Sequence, residues 1–194
     1  LNKDEKINNL ELKDEEKIFI NSLNLITLKP MLYICNVDEK SVAKGNSLSN
    51  LVKERADKES EDVVLVSAAI ESQIAELENE TDKLEMLKEL ELKETTLKKV
   101  IHAGYNLLNL ITFFTCEPKE TRAWTITKNT TASQAAGKIH TDFEKGFVRA
   151  EAITYEDFAN LKGETACREA GKLRLEGKDY VVKDGDVFHF LFNV

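Results

Sequence analysis

Short unbroken apolar runs alternate along the chain with longer stretches in which apolar residues recur every three or four positions. In residues 12–28, Ile18, Phe19, Leu23, Leu25 and Ile26 fall near helical spacing until Lys29-Pro30, where the proline ring stops the pattern. A helix leading into a strand is expected. Residues 31–35 and 63–66 are continuous apolar runs of strand length, with a helix-like stretch at 48–58 between them. Unbroken runs signify strands covered on both faces, and strand-helix-strand signifies a right-handed parallel crossover. Residues 70–110 then read as helix. Ile70, Ile74 and Leu77 share a face, Leu84, Leu87 and Leu90 follow, and Leu97, Ile101, Tyr105 and Leu108 repeat at three- and four-residue spacing.

The texture changes after Leu110. Residues 110–116 are apolar and β-prone, 117–120 read as a turn and 121–127 alternate, which predicts a hairpin. Thr131-Ala132-Ser133-Gln134 matches a helix N-terminal capping box, with Ala135, Ala136, Ile139 and Phe143 as the buried face. A strand at 147–153, a short helix at 155–161 and strand-like pieces at 172–175, 180–182 and 187–192 complete the chain. Phe188, Phe190 and Phe192 share a face of the last strand, so that face must be packed. Two domains are expected: an α/β part over residues 1–110 and an α+β roll of the β-grasp kind over 111–194. Two parallel strands cannot bury both faces of a sheet, and the chain starts with Leu rather than Met. Both features predict a fragment whose sheet is completed by upstream residues.

Composition narrows the function classes. The chain has 194 residues, 42% of them hydrophobic, and a net charge of -8, which argues against broad electrostatic binding to nucleic acid and against DNA as a partner. The acidity is uneven: residues 111–194 carry 12 Lys+Arg and 13 Asp+Glu, while the rest carry 15 and 22. Any RNA-facing surface belongs in the later part. Cys35, Cys116 and Cys167 are widely spaced, without a Cys-x-x-Cys pair, and a reducing compartment is the simplest reading. No apolar stretch approaches membrane-span length and no signal-peptide core is present, so a cytoplasmic location is expected.

The candidate chemistry lies at Asn36-Val37-Asp38-Glu39, directly after the first apolar run. A buried strand ending in Asn-x-x-acid is where GTPase-like folds read a purine. In their Asn-Lys-x-Asp motif the Asn contacts N7, and the Asp accepts from the ring N–H and exocyclic amine of guanine. Here Val37 replaces the Lys, and Glu39 displaces the carboxylate by one methylene, so selectivity should shift towards ATP or relax. Ser67-Ala68-Ala69 follows the second run, and its small side chains let the backbone approach a base edge. Taken alone, the first motif reads more readily as a strand-to-loop turn, and it is the two motifs together on consecutive parallel strands that carry the base-site reading.

These residues resemble the YchF family of Obg-like ATPases. The similarity includes residues 29–39 and 66–71, then Pro118-Lys119-Glu120-Thr121-Arg122-Ala123-Trp124, residues 134–147 and residues 169–180, the last block resembling a TGS domain. The resemblance implies a partial P-loop NTPase-type parallel sheet followed by a TGS-like β-grasp domain. It also implies ATP as ligand, with GTP possible, and a ribosomal RNA or protein partner. Asn36, Val37 and Glu39 would read the base, with Ser67, Ala68 and Ala69 lining its other side. Full-length members carry a Gly-x-x-x-x-Gly-Lys-Ser loop for phosphates and magnesium, which none of the eight glycines here builds. Magnesium and hydrolysis are therefore expected of the full-length parent only, with no catalytic or metal-binding residue in this chain. The rival expectation is a non-catalytic RNA- or ribosome-binding β-grasp module. His102, His140 and His189 read as structural or surface residues, Trp124 as core rather than as an RNA-stacking ring, and Arg168, Lys172, Arg174 and Lys178 as a solvated face.

Overall fold

A computed structural model describes residues 13–117 and 120–193 of this mixed α/β protein. The chain divides into two compact units, one ending at Leu107 and the next starting at Leu108.

In the first unit, α1 (Asp14–Ser22) opens with Asp14, Glu15 and Glu16, negative charges that complement the free N–H groups of a helix start. Its apolar residues Ile18 and Phe19 are 71% and 66% exposed, so the helix forms while the stripe expected to pack stays open. β1 (Leu32–Asn36) pairs in parallel with β2 (Asp62–Val66), placing Asn36 opposite Val66. The crossover is α2 (Ser47–Glu59), capped by Asn46, whose Oδ1 accepts from the Ser49 N–H while the Ser49 hydroxyl accepts from the Asn46 N–H. Coverage on both faces is not what the strands achieve. Val64 is buried, but its partner Ile34 is 51% exposed, although both strands are edges of the same two-stranded sheet.

The helical region expected over 70–110 comprises three helices: α3 (Ala68–Glu76), α4 (Glu80–Glu89) and α5 (Thr96–Leu107). The backbone turns extended at Leu77 and left-handed at Glu91, which ends α3 and α4. Ile70, Ile74, Leu87 and Leu92 meet Val42 in one core, as the breaks let α3 and α4 fold onto each other. Glu71 fixes the start of α5 by accepting from the Thr96 N–H at 2.5 Å and the Thr96 hydroxyl at 2.7 Å.

In the second unit, β3 (Leu110–Glu117) and β4 (Glu120–Thr127) form the expected hairpin, with Phe113 opposite Trp124. The turn residues Pro118 and Lys119 lie outside the described residues. The capping box at α6 (Ala132–Ile139) is realised, with the Thr131 N–H donating to Gln134 Oε1 at 3.0 Å and the Gln134 N–H to Thr131 Oγ1 at 3.5 Å. After α7 (Thr141–Lys145) come β5 (Phe147–Thr154), α8 (Tyr155–Leu161), α9 (Glu164–Glu169), β6 (Arg174–Glu176) and β7 (Asp186–Phe192). The strand order is β4-β3-β7-β5-β6, with β7 parallel to β3 and antiparallel to β5. Phe113, Phe188 and Phe190 fill the core with Ala132, Ala135 and Ala136 of α6, as the alternation of phenylalanines requires.

In the second unit one element is added and one expectation changes. α9 has no counterpart in the sequence reading. Residues 180–182 are not a strand: they make one bridge, Val181 to Thr131, and their backbone serves the start of α6 instead. The Tyr180 carbonyl accepts from the Ala132 N–H at 2.8 Å, and the Val182 N–H donates to the Thr130 carbonyl at 3.0 Å.

Candidate functional site

The C-terminal ends of β1 and β2 carry the two candidate motifs, and the parallel register brings them side by side. The Val37 N–H donates to the Val66 carbonyl at 2.8 Å, which ties the loop after β1 to the end of β2. Asn36, at the last position of β1, uses its Oδ1 to accept from the Ala68 N–H at 3.1 Å. That bond orients the amide: with its oxygen engaged, the Nδ2 donors remain to meet an acceptor such as a purine N7.

The two acidic residues of the first motif have different work. Asp38 caps a 3-10 turn, Glu39–Ser41, accepting from the Lys40 and Ser41 N–H groups, each at 3.1 Å, and from the Ser41 hydroxyl at 2.8 Å. The Ser41 hydroxyl is the main reason that its carboxyl lies below the usual carboxylate range. Glu39 stays exposed, and one of its oxygens accepts from Gln73 Nε2 at 3.2 Å. Val37 is half-buried and packs on the core around Val42 and Ile70.

An open cavity of about 430 Å³ lies between the motifs, lined by Asn36, Val37, Glu39, Ser67 and Ala69, with Asp38 and Lys40. Ala68 is not part of the lining and contributes through its N–H on Asn36. Ser67 is 1% exposed, and its hydroxyl meets no hydrogen-bond partner among the described residues. A buried hydroxyl left unpaired costs about 1–3 kcal/mol, and this one lies beneath the cavity wall, out of reach of a ligand atom. The sequence reading missed the capping role of Asp38, for which the spacing to Ser41 was the available signal, and the contact of Gln73 with Glu39, for which there was none.

In the second unit the other candidates resolve into structure. His140 caps α7, its Nδ1 accepting from the Asp142 N–H at 3.2 Å. The basic residues are largely paired: Arg168 with Glu151 and Glu164, Lys172 with Asp157, and Arg174 with Glu176 and Asp186. Among the described residues no group of three His, Cys, Asp or Glu side chains is placed to hold a metal ion, and no helix is long and apolar enough to cross a membrane.

A family model described as YchF-GTPase_C, a protein of unknown function, matches residues 110–193. The chain is also 56% identical over 185 residues to the ribosome-binding ATPase YchF of Escherichia coli O157:H7, covering 95% of this chain and 50% of that protein. The chain belongs to the YchF family. A Bacillus subtilis YchF, also named a ribosome-binding ATPase, is 48% identical over 187 residues, 95% of this chain and 51% of its own length. The solved structure of the Schizosaccharomyces pombe YchF GTPase superposes with a TM-score of 0.82 at 39% identity, over 96% of this chain and 50% of that one. The chain thus spans about half the length of the curated YchF relatives it matches.

Proposed function

We propose that this chain carries the base-recognition part of a nucleotide site, together with a TGS-type β-grasp module, in a ribosome-associated ATPase of the YchF family. The observation that carries the reading is the cavity at Asn36, Glu39 and Ser67, with the Asn36 amide oriented by Ala68. Residues 1–110 are then the end of the nucleotide-binding domain, and 111–194 are the TGS module. Support for the module comes from the order β4-β3-β7-β5-β6 with a parallel central pair and the capped helix α6 packed on one face.

ATP is the favoured nucleotide and GTP a possible one. Glu39 has one oxygen occupied by Gln73, which leaves it poorly arranged to accept both guanine donors at once. Phosphates and magnesium are handled by a loop for which these 194 residues hold no motif, so this chain alone binds ATP weakly and does not hydrolyse it. The half-exposed Ile34 fits a sheet completed by upstream residues of the same protein. Binding to the ribosome extends to this chain what the names of its relatives say of them, and a cytoplasmic location goes with that reading.

Saturation-transfer NMR of the whole chain with ATP and GTP tests the base site. Weak ATP binding that disappears in Asn36→Ala is expected. Absence of purine binding, or binding indifferent to Asn36→Ala, would remove the reading.

A further inference from the structure

Gln73 belongs to neither of the two motifs, yet it touches a residue of the first, its Nε2 donating to Glu39 Oε1 at 3.2 Å. We propose that Gln73 is a positioning residue for purine selectivity, holding one oxygen of Glu39 so that only the other meets a base. The inference rests on the base-site reading above and adds to it a residue that acts through Glu39 rather than on the nucleotide.

The contact joins two elements that are each held in place. Glu39 opens the 3-10 turn Glu39–Ser41, whose start is fixed by the hydrogen bonds that Asp38 accepts from Lys40 and Ser41. Val37 before the turn and Val42 after it pack in one core with Ile70 and Ile74 of α3, so the turn and the helix share an anchor. Ala69 lines the cavity, and Gln73 lies four residues further along α3, one turn on and on the same side. Ile70 and Ile74 are buried while Gln73 is exposed, so its carboxamide serves the turn instead of the core.

The chemistry of a carboxylate held at one oxygen favours one purine over the other. Glutamate has one more rotatable bond than aspartate, and an exposed glutamate samples its rotamers unless a partner restrains it. Gln73 supplies that restraint through an amide donor, which brings no charge and does not titrate. Guanine needs two acceptors side by side, for its ring N–H and its exocyclic amine, whereas adenine presents one amine beside a ring nitrogen that accepts. A single free oxygen satisfies adenine and leaves one guanine donor without a partner. Among the other charged groups of the lining, Asp38 is engaged by its turn and Lys40 has no acceptor, so the task falls to Glu39. Loss of the Gln73 donor therefore acts in opposite directions on the two purines. Both oxygens become available to guanine, while the oxygen that meets the adenine amine loses its restraint.

Amide-shift titrations of the isotopically labelled whole chain with AMP and with GMP give the ratio of the two affinities, in which any common change in phosphate attraction or stability cancels. The wild type should prefer AMP. Gln73→Ala should lower that preference several-fold, and Gln73→Arg, which keeps a donor within reach of Glu39, should hold it to within about twofold of wild type. In a Glu39→Ala background the Gln73→Ala change should add nothing, as two residues acting through one contact require. An unchanged preference in Gln73→Ala, an equal loss in Gln73→Arg, or a further loss when Gln73→Ala is combined with Glu39→Ala would overturn the inference and leave the base site standing. Equal affinity of the wild type for AMP and GMP would overturn it as well. If the wild type binds neither purine, the base-site reading fails and the role of Gln73 falls with it.

Discussion

Replacing Tyr180 with Phe removes one hydroxyl from the most buried polar cluster of the second unit. Asp186 is 2% exposed, and its carboxylate accepts from the Tyr180 hydroxyl at 2.9 Å, the Lys183 N–H at 2.9 Å and Arg174 Nη2 at 3.3 Å. A hydrogen bond to a charged group contributes about 1.5–3 kcal/mol, and two of the three donors remain in the variant, so Tyr180→Phe should cost about 1.5 kcal/mol. Burial, and then the hydrogen bond to Asp186, push the Tyr180 phenol up to about 12 from an ordinary value of 10.0. A folded-state value above the unfolded one means the stabilisation is fully present below pH 10, where the phenol is protonated in both states. It is lost as pH rises from 10 through 12, because the unfolded chain ionises first. The linkage ceiling of about 2.7 kcal/mol must be cut to about 1 kcal/mol, since Tyr180 is partly exposed to solvent. Urea unfolding followed by Trp124 fluorescence at pH 8, 10 and 11.5 measures this, and subtracting the variant cancels the other titrating groups. Equal stability of the two proteins at pH 8, or a difference that does not shrink above pH 10, would refute the reasoning.

Three further outcomes follow from particular contacts. A Cβ on Gly146 would sit on the Asn193 backbone carbonyl, whose residue also donates its N–H to the Gly146 carbonyl at 2.8 Å, so Gly146→Ala should destabilise the second unit by about 2 kcal/mol in the same urea assay. Ser67→Ala removes a buried hydroxyl without a partner, so protection of α3 against hydrogen exchange should be unchanged or higher by up to about 1 kcal/mol. Glu71→Gln weakens the acceptor for two Thr96 donors, and amide exchange in the first turn of α5 should accelerate by about 1 kcal/mol while β3 and β4 are unaffected.

Much of this fold is written in local patterns. The apolar runs gave β1 and β2, the Thr131-Gln134 box placed α6, and the alternating phenylalanines marked β7, because each depends on periodicity or on contacts three residues apart. The failures arise where distant backbone decides. Residues 180–182 have strand composition, yet their carbonyl and N–H groups are taken by the loop entering α6, a contact about fifty positions away in sequence. The break of residues 70–110 into three helices reflects the demand that Leu87 and Leu92 reach Ile70 and Ile74, which no window of the sequence contains. The candidate base site was legible as two motifs, since parallel strands bring their C-terminal ends together. Which carboxylate caps the turn was not, because Asp38 and Glu39 are adjacent acids that differ in the sequence by one methylene. Trp124 was readable as an aromatic residue in an alternating strand, and its half-open environment emerges only once α7 and β7 are placed around it.

The central claim is that the ends of β1 and β2 read a purine base. Amide chemical-shift mapping of the isotopically labelled chain with millimolar AMP, GMP and CMP tests it directly, since shifts register even weak binding. The account predicts perturbation of the Asn36 side-chain amide and of the Ala68 and Ala69 backbone, larger with AMP than with GMP and absent with CMP. Shifts that avoid these residues, or that are equal for the purines and the pyrimidine, would contradict it.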